Sequence, residues 1–439
     1  MKRMVLGAAC VLGLAWGAAA EMVGHGGIVR SVAVSPDGRT VLTGSFDYSA
    51  KLWDFVEQTE IADFNEHVGP VNAVAFLPNG RAALTASDDN SVILWDLATF
   101  TPVRRFVGHR AKVMAVAVAR DGTLAATGGW DDTVRLWDVA EGKELRTIEQ
   151  PSKINAIAFG ADGKTVITGA HDGVLRVWSV ETGNLLRVMN GHGWGVTQIS
   201  VSPDGDRALS SGTDETLRLW DLTTFTETRS MSGHDGPIFG AVFSPDGRTA
   251  LSVGRDGYMI HWNLATGRPI RRIQAHAAPV WGVAFSPDGR FGITASSDER
   301  VRVWHLATGD QIGIADEGKA EPKPWLESSH PGAKLFRKCA ICHSLIADGT
   351  RRSGPHFAGL FGRRAGSVPG YNYSAALRDR DFAWNDETLR GLFHEGPDAY
   401  MPGTKMPLQR ISDDDQLANL IDYLRQITAP PEDERKAAD

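Results

Sequence analysis

Through the first three hundred residues, apolar and polar positions alternate in short runs, and the runs come in sets. VRSVAVS (29–35), TVLTGS (40–45) and AKLWDF (50–55) each have the period-two pattern of a half-buried strand. A tight-turn signal separates the first two runs of a set: SPDG at 35–38, LPNG at 77–80, and SPDG again at 202–205, 244–247 and 286–289. A tryptophan marks each set. Trp53, Trp95, Trp137, Trp178, Trp220, Trp262 and Trp304 are spaced by 42, 42, 41, 42, 42 and 42 residues. A fixed period of this size means units that bury one another's faces, in a propeller or a solenoid. Each unit is predicted as a small antiparallel sheet of three strands plus an outer fourth. After a polar, proline-bearing stretch (EGKAEPKPW, 317–325) the repeats stop and the pattern becomes helical.

Composition narrows the class. The 439 residues suffice for two or three domains, and 48 glycines with 13 tryptophans favour an all-β globular protein over a disordered or membrane one. A formal charge of −7 requires no basic face, so nucleic acid is not an expected partner. The chain opens MKRMVLGAACVLGLAWGAAA, with Lys2 and Arg3 before an apolar stretch from Met4 to Trp16 and Ala18-Ala19-Ala20 before Glu21. This reads as a cleaved secretory signal, with an uncleaved anchor as the alternative. Too little apolar sequence precedes Cys10 for a lipoprotein. The expectation is an exported, periplasmic, soluble protein with no membrane span, and a monomer. Only Cys339 and Cys342 survive cleavage.

Gly24-His25 opens the first unit and Leu52-Trp53-Asp54 closes it; Gly108-His109 with Leu136-Trp137-Asp138, and Gly191-His192 with Leu219-Trp220-Asp221, do the same. These residues resemble the WD-repeat (WD40) family, which implies a seven-bladed, all-β propeller with one four-stranded sheet per blade. The resemblance also implies a buried network of histidine, serine or threonine, aspartate and tryptophan. It maps to His25, Thr43, Asp47 and Trp53, to His67, Thr85, Asp89 and Trp95, and to His276, Thr294, Asp298 and Trp304. The fourth unit departs, with Gln150 in place of histidine. Repetition argues that the network is structural, because an active site is needed once; satisfied buried polar groups hold turns and register. The segment DQIGIAD (310–316) is the expected closing strand, making the last blade wholly C-terminal. In the family, partners dock on the face carrying the residue before each network aspartate, and on a second ring near the start of the inner strands. The docking candidates here are Arg30, Phe46, Trp130, His171, Phe239, Arg255 and Trp281, of residue types enriched at interfaces.

FRKCAICHSL (336–345) contains C-x-x-C-H, a c-type haem attachment signature; a thioredoxin-like redox pair is the alternative, but no βαβ pattern surrounds it. GPHFAGLFGRRAG (354–366), YNYSAAL (371–377), FAW (382–384), YMPGTKMP (400–407) and LIDYLRQ (420–426) follow. Residues 329–428 resemble class I cytochromes c, an all-α domain. That resemblance implies one covalent haem c on Cys339 and Cys342, with His343 as proximal and Met406 as distal iron ligand. It further implies that the Pro355 carbonyl orients His343, and that Arg363, Tyr373, Trp384 and Thr404 hold the propionates. Met401 is the rival distal ligand, at a variable position of the pattern. His356 and His394 read as surface or loop histidines. Leu377 and Ala376 replace polar residues common in relatives. Histidine and methionine together leave no open iron position, which suits one-electron transfer.

The expected organisation is a signal peptide (1–20), a propeller (21–316), a linker (317–328), a cytochrome c domain (329–429) and a flexible tail (430–439). The expected function is electron transfer, not catalysis, with the propeller docking a redox protein partner. Alternatives are a periplasmic oxidoreductase with a propeller active site, and a redox-sensing scaffold. Quinoprotein propellers resemble eight-bladed rings with a different tryptophan motif. Six of the histidines are committed to blade networks, leaving His171 as the uncommitted histidine on the docking face.

Overall fold

The computed structural model describes residues 21–313, 324–340, 343–345, 347, 354–369, 371, 373–378, 380–402, 404, 406 and 409–428. The expected leader, Cys342, the linker up to residue 323 and the expected tail lie outside the described residues.

Strand-forming alternation and the turn signals yield seven antiparallel sheets. In the first, Val29–Val34 is innermost, followed outward by Thr40–Ser45, Ala50–Asp54 and Glu60–Phe64. The middle strands are almost wholly buried, whereas outer strands such as Thr101–Val107 are mostly exposed. Apolar side chains meet between neighbouring blades: Leu42, Leu52 and Phe64 of the first pack with Val71, Val74 and Trp95 of the second. Each such side chain contributes about 1.5–3 kcal/mol when fully buried, so a blade is stable only with its neighbours.

Each inner strand bulges at its second residue. Pairing skips from Val29 to Ser31, from Val71 to Ala73, and so on round to Val280 and Gly282. A bulge drops one residue from the ladder and re-aims its side chain. The residues released are Arg30, Asn72, Met114, Asn155, Thr197, Phe239 and Trp281, and all seven line the central channel. At the other end of the inner strands the hairpin turns pack in a ring. Gly38, at φ 73°, leaves a would-be Cβ 3.4 Å from Pro287, so the first turn meets the last.

The closing strand differs from the sequence expectation. The last blade draws on both ends of the repeats: Met22–Val23 pairs with Arg300–His305 through Met22↔Val301 and Val23↔Arg300. Gln311–Ile312 pairs farther along the same strand, through Val303↔Ile312 and Trp304↔Gln311. The reason lies in two residues. Met22 is fully buried with Val29, Trp53, Ile293 and Val303. Glu21 accepts hydrogen bonds from Arg300, from Arg302 Nε at 2.8 Å and from Gln311 at 3.0 Å.

The C-terminal segment is helical: α1 Pro324–Glu327, α2 Pro331–Ala340, α3 Ala375–Arg378, α4 Asp386–Glu395, α5 Pro397–Tyr400 and α6 Asp414–Thr428. Helix α2 crosses α6, with Phe336 edge-on to Tyr423 at 5.7 Å between ring centroids. Asn385 caps α4 in a reciprocal box with Thr388, satisfying two otherwise orphaned donors. Phe336, Leu392, Phe393, Met401, Leu420 and Leu424 are among the buried residues of one core. No helix of the described residues is long and apolar enough to cross a membrane.

Candidate cofactor cleft and channel face

The blade network forms as the repeats imply. In the second blade His67 Nδ1 lies 2.7 Å from Asp89 and Nε2 lies 2.7 Å from Thr85 Oγ1, which also accepts from Trp95 Nε1 at 2.9 Å. Histidines 25, 109, 192, 234 and 276 are bonded in the same way, with Ser210 and Ser252 serving for threonine in two blades. Burial alone would raise the Asp47 and Asp89 carboxyls, but their histidine partners and backbone N–H groups hold them well below the usual range. In the fourth blade Thr168 reaches Gln150 only at 3.4 Å, and Asp172 turns to Arg176 at 2.7 Å. In the first blade Lys51 is fully buried, 2.9 Å from Glu60 and 3.5 Å from Asp63.

In the helical segment, one predominantly apolar cavity is lined by His343, Pro355, Arg363, Tyr373, Trp384, Met401, Thr404 and Met406. Helix α2 leads into the site: the His343 N–H donates to the Cys339 carbonyl at 3.0 Å. Pro355 O sits 2.7 Å from His343 Nδ1, so Nδ1 carries the proton and Nε2 the lone pair. Phe357 stacks on the ring at 4.2 Å. A hydrogen-bonded bridge, Trp384 N–H to Arg363 O at 2.9 Å, holds Arg363 and Trp384 side by side. Arg363 also donates to the carbonyls of Ala358 and His356, both at 2.7 Å. Tyr373 O–H accepts from the Val368 N–H, and burial pushes its phenol up. Thr404 Oγ1 accepts the Met406 N–H at 3.2 Å, which fixes the loop carrying Met406. Cys339 is buried, and burial pushes its thiol up to about 12.

The model of the family described as "WD domain, G-beta repeat" matches seven times, at residues 18–54, 58–96, 100–138, 142–179, 183–221, 225–263 and 267–305. The Cytochrome c family model matches 329–428. Among similar proteins, cytochrome c of Gibberella zeae is 42% identical over 98 residues, 22% of this chain and 92% of that protein. Cytochrome c of Nigella damascena is 39% identical over 102 residues, 23% of this chain and 91% of that protein. Cytochrome c2 of Blastochloris viridis is 35% identical over 98 residues, 22% of this chain and 76% of that protein. The chain belongs to the WD-repeat family and carries a cytochrome c domain.

A cytochrome c domain implies haem, and the cavity has features that fit one. Its walls are mostly apolar, yet Ser374 Oγ is buried on the lining with no hydrogen-bond partner among the described residues. Gly354 leaves bare the flank of the ligand candidate: a Cβ there would lie 2.5 Å from the His343 ring. Both Met401, buried in the core, and Met406, half-buried, reach the cavity. Cys342 lies outside the described residues. His356 approaches Arg363 Nη1 at 3.3 Å and is absent from the lining, as is His394.

On the WD-repeat propeller, five of the seven docking candidates line the channel, and Phe46 lies beside Arg30 at its edge. Phe239 stacks on Trp281 at 4.0 Å with rings 6° apart, and the Arg30 guanidinium lies 5.2 Å from Trp281 and 6.0 Å from Phe46. Trp130 and His171 line the channel elsewhere, with Lys112 and Lys153 over the Trp130 ring at 5.5 and 5.2 Å. Arg255 is exposed and, like Phe46, is not part of the channel lining. Two residues escaped sequence reasoning. Trp194, 72% exposed, stands two residues after its network histidine, where Gly27 and Gly69 stand in the first two blades; that contrast was readable. His261 replaces the leucine before the blade tryptophan, and both its ring nitrogens are buried without partners among the described residues.

Proposed function

We propose that this cytochrome c–propeller fusion is an exported electron carrier whose propeller docks a redox protein of the periplasm. A single observation carries the reading. His343, oriented by the Pro355 carbonyl, and Met406, positioned through Thr404, reach one apolar cavity. In this reading Cys339 and Cys342 would hold one haem c through thioethers, and His343 and Met406 would be its iron ligands. Such a haem supplies a one-electron couple with no open coordination position. The chain's own residues do the rest. Pro355 keeps the His343 tautomer, as an outer-shell partner does for a ligating imidazole. Arg363, Tyr373, Trp384 and Thr404 hold the propionates, and the apolar lining excludes water.

Joining a carrier to a docking module raises the carrier's effective concentration at its partner. Half-buried aromatics and Arg30 at the channel support docking there. The six bonded network histidines favour docking over a propeller active site. Three experiments test the reading. Met406→Ala is expected to abolish the far-red methionine–iron charge-transfer band while Met401→Ala keeps it; an unchanged band in Met406→Ala refutes the ligand assignment. Cell fractionation is expected to find the haem-bearing protein in the periplasm with residues 1–20 removed; a haem-bearing cytoplasmic pool with that segment intact overturns export. Capture from periplasmic extract is expected to retrieve a redox protein with wild type and not with Trp281→Ala; equal retrieval removes the channel from the docking role.

A further inference from the structure

Polar clamps join some neighbouring blades at the channel. Asn72, Asn155 and Thr197 each bond the inner-strand carbonyl of the next blade, at Val113, Val196 and Ile238. The corresponding bulge residues of the sixth, seventh and first blades are Phe239, Trp281 and Arg30, and they make no such clamp. They stack in sequence round one side of the mouth and end on Phe46.

Arg30 is the only Arg or Lys on the channel lining among the described residues, and no Asp or Glu lines it. Its guanidinium has no hydrogen bond and no ion pair among the described residues. Asp88, the nearby carboxylate that favours its charge, is held by Lys112 at 2.5 Å and Asn72 at 2.7 Å. Aromatic faces attract a guanidinium but leave its N–H fork unused, and that fork matches a carboxylate bidentately. A desolvated cation without a counter-ion is costly, and an arriving carboxylate offsets that cost. Farther along stand Lys153 and Arg255, neither of them ion-paired among the described residues. The fixed charge of the channel lining is therefore positive, on a chain whose formal net charge is −7.

We infer that the Phe239–Trp281–Arg30–Phe46 array is a carboxylate-recognition site that takes an acidic side chain from an extended, acidic segment of the docked protein. A second cation argues for a polypeptide: Lys153 lies 5.2 Å over the ring of Trp130, which lines the same channel, so one small carboxylate engages Arg30 alone whereas a segment bearing several carboxylates also engages Lys153. The inference rests on the docking role proposed above, and it adds what the partner presents.

The test uses the full-length protein and an N-acetylated hexaglutamate amide, with binding followed by tryptophan fluorescence at low and moderate salt. Hexaglutamate is expected to bind at least tenfold more tightly than hexaglutamine or free glutarate, and less tightly as salt rises. Arg30→Gln, checked for unchanged thermal unfolding, is expected to weaken it at least tenfold, and Lys153→Gln by a smaller factor. Equal binding of hexaglutamate and hexaglutamine, or an undiminished affinity in Arg30→Gln, overturns the inference. Glutarate binding as tightly as the peptide overturns the polypeptide occupant. If Trp281→Ala loses the captured partner while hexaglutamate fails to bind wild type, docking stands and carboxylate recognition falls. If hexaglutamate binds as expected while capture retrieves nothing, the carboxylate site stands and the docking role is what fails.

Discussion

The blade network offers an internal comparison, because the fourth blade lacks its histidine. Thr85→Val in the second blade removes a hydroxyl that accepts from Trp95 Nε1 at 2.9 Å and bonds His67 Nε2 at 2.7 Å. Two buried polar groups then lack a partner. At about 1–3 kcal/mol for each orphaned group, the substitution costs about 4 kcal/mol. Thr168→Val in the fourth blade is the same chemical change in a weaker setting. Trp178 donates to Thr168 at 3.1 Å, but the contact to Gln150 is 3.4 Å, and Gln150 Nε2 is already unpartnered. One orphaned group gives about 2 kcal/mol. Urea unfolding followed by tryptophan fluorescence converts midpoint shifts into these differences when the slope is unchanged. Thr85→Val is therefore expected to shift the midpoint about twice as far as Thr168→Val. Equal shifts, or a larger one in the fourth blade, would refute the claim that the histidine bond carries half of the cost.

Three further outcomes follow from the geometry. Lys51→Met leaves Glu60 and Asp63 buried beside no cation and is expected to cost about 3–5 kcal/mol in urea unfolding at pH 7; the loss shrinks at pH 5, since burial already raises the Asp63 carboxyl. Burial and Arg271 depress the His261 imidazole, so the unfolded chain takes up its proton first and stability falls as pH drops below about 6.5. His261→Leu is expected to raise the melting temperature and flatten that acid-side slope, while an unchanged slope assigns it to His192 and His276, whose imidazoles burial also depresses. Gly354→Ala drives a methyl group into the His343 ring and is expected to lower the unfolding midpoint, read at the Soret band, by about 1–3 kcal/mol equivalent; no shift means the ring yields freely.

Seven blades were legible because the tryptophan spacing and turn signals repeat, and repetition amplifies a weak period-two signal. The network was legible for the same reason, down to the Gln150 exception. The sequence put one residue per unit near the start of each inner strand, but what turns these residues into the channel, a bulge in every inner strand, leaves no mark on the hydrophobic pattern. The sequence pointed to exposed anchors, and the structure half-buries most of them: Arg30, Phe46, Trp130, Phe239 and Trp281 pack on one another or on neighbouring cations. Ring closure was misread because a two-residue strand carries no periodicity. What decides it is Glu21 meeting Arg300 and Arg302, a pairing across some 280 residues that no local signal reports. In the haem cleft, His343 and Pro355 followed from the motif. Ser374 did not, because an unpartnered hydroxyl is defined only by what surrounds it.

The composite last blade has a mechanical meaning. Gln311–Ile312 is the last propeller strand among the described residues, so a pull from the C-terminal side loads that two-residue pairing first. Toward the other end of the same strand edge, Met22–Val23 is anchored by its own hydrogen bonds and by the Glu21 ion pairs. Force from the C-terminal side therefore peels the Gln311–Ile312 pairing while the separate Met22–Val23 pairing keeps the ring shut. The C-terminal domain would gain a few residues of reach without the propeller ring opening.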